Sequence, residues 1–245
     1  MSHYSGRVKS GFPAGLPLFL GISALVALWL LWRGLGLFPV VFADEYEYSL
    51  FSRHLPLSEA AIPGYLFLKL YGATQSCGEG FLQCARLLNV VAYILGCLAV
   101  FRVATLWLGR RLGFYVGLLT LLSPSQTYTV FFMPEALYFL GFWLLVGLLI
   151  KQPAHTSNRH AVAIGVATGL LSLIKPHALL LLPGVLLFKA FDLAASSESN
   201  TLSKALRFGA CTLGCALLTK FGMGYFWAGS KGLTLFGTHY GDHAS

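Results

Sequence analysis

The densest group of reactive side chains in this sequence is Asp44-Glu45-Tyr46-Glu47-Tyr48. Crowded carboxylates repel one another, so they suit a segment that binds a cation or metal, or one that takes a proton from a substrate. On a helix, Asp44, Glu47 and Tyr48 share a face while Glu45 points elsewhere. The same run also reads as a solvated acidic stretch that stabilises a helix start. Glu135 follows Pro134 at the head of an otherwise apolar stretch. A carboxylate at the edge of a hydrocarbon layer is costly, so it is expected to be paired or functional, and its place in a first helical turn also favours it. Arg86, Lys175, Lys69 and Arg53 could hold a phosphate, pair with these acids or simply extend toward lipid headgroups. His54 and His177 stand alone, and no phosphate-binding loop, nucleophile elbow or paired-cysteine motif accompanies them.

The elements that must position these residues are apolar helices. Of the 245 residues, 56% are hydrophobic and 11% charged, and the mean hydropathy is +0.71. A soluble domain carries about 25% charged residues, so this chain cannot cover a water-facing surface. Its apolar residues come in blocks near the roughly 20 residues that a membrane-crossing helix needs. Helices satisfy their own backbone in lipid, and the Leu, Ala and Gly content lacks the alternation of a membrane barrel. The expected fold is therefore an all-α integral membrane bundle forming a single transmembrane domain.

Spans are expected over 12–31 or a few residues further, 82–108, 112–122, 134–150 and 205–227. The stretch 161–191 is too long for one span, and proline at Lys175-Pro176 breaks the helical ladder. It reads as two short helices meeting at an outer turn, which brings the count to about seven. Residues 1–11 form a tail preceding a retained first span, since 12–31 is longer than a signal core. Residues 39–81 form a loop whose apolar piece, 63–72, suits a helix lying along the interface. Residues 228–245 form a polar, Gly-rich tail.

Charge gives the orientation. With the N-terminus cytoplasmic, a modest majority of Lys and Arg residues fall on the inner side, as the positive-inside rule requires. The acids other than Asp192 and Glu198 then fall outside, along with the 228–245 tail. The net charge of +8 is not gathered into a basic, aromatic-interleaved polar domain, which sets nucleic acid aside. Of five cysteines, Cys77 and Cys84 lie in the external segment, where they either form a disulfide or serve as small apolar residues. Cys211 and Cys215, four apart on one helical face, resemble packing residues more than metal ligands.

The order of these features resembles the GT-C superfamily of membrane glycosyltransferases, in particular the protein O-mannosyltransferase and aminoarabinose transferase group. The resemblance covers roughly residues 16–191. It rests on Asp44-Glu45 in the loop after the first span, Pro63-Gly64-Tyr65, Ala85-Arg86-Leu87-Leu88-Asn89, Gly109-Arg110-Arg111, Glu135 and Ser172-Leu173-Ile174-Lys175-Pro176. It implies inverting transfer of a sugar from a polyprenyl-phosphate lipid to an acceptor hydroxyl at the external face. Asp44 and Glu45 would be the catalytic pair, with Asp44 as base. Arg86, Lys69 and Lys175 would bind the phosphate, and Glu135 and Glu47 would be secondary acids. Some branches of the superfamily use a divalent metal and others none; a metal here would draw on Asp44 and Glu135. Family members are longer, so the resemblance leaves three readings of this chain: a fragment, a minimal member, or one part of a split enzyme whose fold a partner chain completes. Two rival readings remain: a transporter or lipid flippase, and a non-catalytic membrane subunit of a larger complex.

Overall fold

A computed structural model describes residues 15–37, 43–150, 157–195 and 201–234. All regular structure among them is helical: α1 (Leu16–Gly34), α2 (Ala43–Arg53), α3 (Tyr65–Gly72), α4 (Phe81–Leu121), α5 (Glu135–Ile150), α6 (Asn158–Ser172), α7 (Leu181–Ala195) and α8 (Thr201–Ala228). Short 3₁₀ turns join several of them. Three apolar segments among the described residues are long enough to cross a membrane: Leu16–Gly34, Pro176–Ala194 and the stretch Tyr65–Leu121. Helix α5 is equally apolar but shorter. Large apolar side chains point outward along these elements, among them Leu28, Trp32, Leu119, Phe191 and Phe226. Such a surface is adverse in water and is what lipid tails require.

Glycine explains the longest element. Helix α4 reverses direction at Gly109, whose φ of 80° and ψ of 171° are open almost only to glycine. The two arms then lie side by side. A Cβ on Gly113 would sit 2.6 Å from the Thr105 Cα, and the Tyr93 hydroxyl donates to the Thr120 carbonyl at 2.7 Å. The expected spans 82–108 and 112–122 are these two arms.

Ring and backbone contacts set the directions of the other helices. Phe19 of α1 stacks on Phe101, and Gly34 meets Arg86, so α1 runs antiparallel to the first arm of α4. Phe139 packs on Tyr93 and Gly147 approaches Val103, so α5 runs parallel to that arm. Helices α6 and α8 are parallel and very close, because glycines stand where they touch. A Cβ on Gly165 would lie 2.5 Å from the Thr212 carbonyl oxygen, and one on Gly169 would lie 2.7 Å from that of Ala216. The chain thus shuttles between two ends. One end gathers α2, α3, the 122–134 connection and the 173–180 turn; the other gathers Gly109, Ile150 and the start of α6.

Several expectations fall at particular places. Helix α1 begins a few residues later than residue 12 and ends at Gly34, within the few residues beyond 31 that the first span is expected to reach, carrying Arg33 in its last turn. The 161–191 stretch does break at Lys175-Pro176, between α6 and the 3₁₀ turn Pro176–Leu180. The interfacial helix is α3, yet Tyr65, Phe67, Leu68 and Tyr71 are buried in protein while Lys69 and Leu70 are exposed. Its aromatic face finds Tyr48 and Phe132 rather than lipid. Cys77 and Cys84 form a disulfide that ties the segment after α3 to the first turn of α4. Cys211 and Cys215 are free thiols. The 1–11 tail and all of 228–245 beyond Thr234 lie outside the described residues.

Candidate functional site

The site is built around a break in the helical ladder. Residues 131–133, between the 3₁₀ turn Pro124–Val130 and α5, are not helical, so their backbone groups need partners from elsewhere. Three side chains supply them. Arg86 Nε donates to the Val130 carbonyl at 3.1 Å, Asn89 Nδ2 donates to the Phe131 carbonyl at 2.6 Å, and the Phe132 N–H donates to Glu45 Oε1 at 2.7 Å. Arg86 and Asn89 are one turn apart on α4 and point the same way.

Arg86 extends this clamp to α1. Its terminal nitrogens donate to the Gly34 carbonyl at 2.8 Å and the Leu37 carbonyl at 3.1 Å. The side chain is 6% exposed, and its neighbouring counter-charge is Glu45, itself 4% exposed. A guanidinium held by three main-chain carbonyls fixes geometry more readily than it receives a phosphate. Asn89 also accepts a hydrogen bond from the Tyr71 hydroxyl, which fastens α3 to α4. Arg33, at the end of α1, donates to the Gln126 carbonyl at 3.2 Å.

The second polar group lies one turn further along. Lys175 Nζ meets Glu135 Oε1 at 2.5 Å, with 19% and 22% of the side chains exposed. The expected pairing of Glu135 is therefore met by another expected site residue, 40 positions away. Glu135 Oε2 is buried and receives no hydrogen bond. The turn carrying Lys175 is docked to α3, because the Leu66 N–H donates to the Leu173 carbonyl at 2.9 Å. Tyr138 packs edge-on against His177 at 5.5 Å between centroids. A closed circuit results: α2 to 130–132, then α5 to the 173–175 turn, then α3 to α4 and back to 131.

Helix α2 divides its residues between two faces. Glu45, Ser49 and Arg53 look into a cavity of about 360 Å³ that Tyr46, Phe81 and Phe132 help to wall. Arg53 lies over the Phe81 ring at 3.4 Å and donates to Ser49 Oγ at 3.0 and 3.2 Å. Burial lowers the Arg53 pKa and the Glu79 carboxylate raises it, but a guanidinium keeps its charge through such shifts. The opposite face carries Tyr48, packed on Phe67 at 5.3 Å, and Phe51, packed against the same core. Asp44 lies on this side of the helix, in its first turn, and is exposed. Glu47 is half-buried.

The structure thus brings together Glu45 with Arg86, and Glu135 with Lys175. It leaves Asp44 and Lys69 open to solvent at the same end. Among the described residues no group of three or more His, Cys, Asp and Glu side chains is placed to hold a metal ion. Asp44 and Glu135 do not make up a donor set, since Glu135 is turned to Lys175. Sequence reasoning gave no role to Asn89, Tyr71 or Phe132. Asn89 was within reach of it, as a polar residue one turn from Arg86 in an apolar helix. Phe132 was not, because its contribution is a main-chain N–H. No family model, no curated protein and no solved structure matches this chain.

Proposed function

We propose that this chain crosses the membrane about seven times and carries the site of a glycosyltransferase fed by a polyprenyl-phosphate sugar. The passes would be α1, the two arms of α4, α5, α6, α7 and α8. The Cys77–Cys84 disulfide supports placing the α2–α3 end in an oxidising, external compartment. Exposed Arg102, Arg110 and Arg111 toward the other end support a cytoplasmic face there.

The observation that carries the reading is the opposite fate of two adjacent acids. Glu45 is buried, bonded to Phe132 and set against Arg86, so it holds the site together. Asp44 is exposed beside it, free to meet an acceptor hydroxyl. Its carboxylate takes the hydroxyl proton as the acceptor oxygen attacks the sugar's anomeric carbon from the face opposite the phosphate. The bond from that carbon to the phosphate oxygen breaks, and the polyprenyl phosphate leaves with its electron pair. With Arg86 taken up by main-chain carbonyls, Lys175, Lys69 and Arg53 are the expected cations left to receive that negative charge, a stabilisation that grows toward the transition state. Lys175 is held ready by Glu135, and Arg86 acts as a positioning residue.

The test is transfer by membranes containing the chain, supplied with a panel of radiolabelled polyprenyl-phosphate hexoses and pentoses. The wild type is expected to move label into a lipid or protein acceptor, and Asp44→Asn at equal expression is expected to lose that transfer. Undiminished transfer by Asp44→Asn removes it as the base. Absence of transfer from every donor in the panel overturns the reading.

A further inference from the structure

A large cavity lies at the end opposite the acidic residues of α2. A groove of about 960 Å³ runs between the first arm of α4 and α5, walled by Val103, Leu106, Trp107, Trp143, Leu144 and Gly147. Among the described residues one charged side chain, Arg102, lines it. Arg102 is exposed and has no ion-pair partner among the described residues. Trp107 and Leu144 are more than half exposed at its mouth. A second, smaller cavity of about 240 Å³ lies on the other face of α5, against Val185 and Phe188 of α7; Trp107 and Ile150 line both cavities, and among the described residues no charged side chain lines the smaller one. The two cavities differ in the one respect that selects among lipids. Both admit an alkyl chain, but only the larger offers that chain's headgroup a cation.

We propose that the α4–α5 groove seats an anionic phospholipid of the cytoplasmic leaflet, its phosphate on the Arg102 guanidinium and an acyl chain along Val103, Leu106 and Gly147. Charge complementarity selects this occupant. An unpaired guanidinium on a long stem can reach the headgroup layer while its methylenes stay on apolar surface. Indole rings such as those of Trp107 and Trp143 settle at that depth. Exposed Arg110 and Arg111 at the turn between the arms of α4 raise the local concentration of anionic lipid without lining the groove. The assignment to the cytoplasmic leaflet rests on the orientation proposed above, whereas the groove and its Arg102 do not depend on glycosyl transfer.

Trp143, which lines the larger groove and not the smaller cavity, provides the test. The full chain is reconstituted with Trp29, Trp32, Trp107 and Trp227 replaced by phenylalanine, so that Trp143 remains of the five tryptophans. Brominated phosphatidylglycerol or brominated phosphatidylcholine is then added as a minor lipid, and fluorescence quenching is read. Phosphatidylglycerol is expected to occupy the groove about fivefold more readily, the advantage of one basic residue near an anionic surface. Arg102→Gln is expected to abolish that preference, and the Arg110→Gln/Arg111→Gln pair to retain most of it. Gly147→Leu keeps Arg102 but fills the groove, where a Cβ has 3.7 Å to the nearest Val103 carbon, and it is expected to weaken quenching by both lipids. Equal quenching by the two lipids overturns the proposal. So does an undiminished preference in Arg102→Gln, which would mark ordinary annular lipid.

Discussion

At the residue scale, neighbouring side chains with similar chemistry are separated by what surrounds them. Asp44→Asn alters an exposed group, so its thermal unfolding in detergent is expected to match that of the wild type while transfer is lost. Glu45→Ala leaves the Phe132 N–H without its acceptor and Arg86 buried without its counter-charge. It is expected to cost about 2–3 kcal/mol, read as a lowered Tm. The reverse pattern, a stable Glu45→Ala and an unfolding Asp44→Asn, would exchange the two roles. The Lys175–Glu135 pair lies between surface and interior, so Lys175→Met is expected to cost about 1–3 kcal/mol. Adding Glu135→Gln removes the stranded carboxylate, and the double variant is expected to be more stable than Lys175→Met alone. The acids themselves, Asp44, Glu45 and Glu135, were legible in the sequence, as was the turning of Glu45 away from Asp44. The partners were not. A carboxylate that bonds to a main-chain N–H leaves no mark at the partner's position, and Glu135 and Lys175 meet only after two helices have been threaded between them.

At the scale of elements, the helices were legible because lipid imposes length and composition, and the breaks were legible because proline and glycine impose backbone. Gly109-Arg110-Arg111 ends one arm of α4 and Lys175-Pro176 ends α6 for these reasons. Gly109→Ala is expected to destabilise the hairpin by about 1–3 kcal/mol, since its φ of 80° lies where a Cβ is strained. At the α6–α8 seam the cost is steric instead. Gly169→Leu has to push apart helices whose backbones touch, and is expected to lower the Tm more than Gly109→Ala does. What stayed hidden was the setting of α3. Its eight residues are aromatic and apolar enough for an interface, and composition alone does not distinguish a lipid headgroup layer from the Tyr48 and Phe132 rings that receive Phe67.

At the scale of the molecule, sidedness decides whether the chemistry is available. A Cys97→Ala/Cys211→Ala/Cys215→Ala background leaves the Cys77–Cys84 disulfide as the remaining cysteine pair. In that background, Glu59→Cys is expected to react with a membrane-impermeant maleimide in intact cells, and Arg110→Cys only after lysis. The opposite pattern would place Asp44 in the cytosol and end the external-transfer reading. Such distribution of charge between two ends is legible in sequence only once the number of crossings is known, and one miscounted break inverts everything after it. The 130–132 strip also has a mechanical consequence. It is the joint through which α1, α2 and α4 grip the head of α5, and Glu135 stands three residues beyond the last bond of that grip. A molecule that settles against α2 and shifts it along its axis therefore draws Phe132 with it. The start of α5 would then turn under load, and the strain would fall on the contact between Glu135 and Lys175.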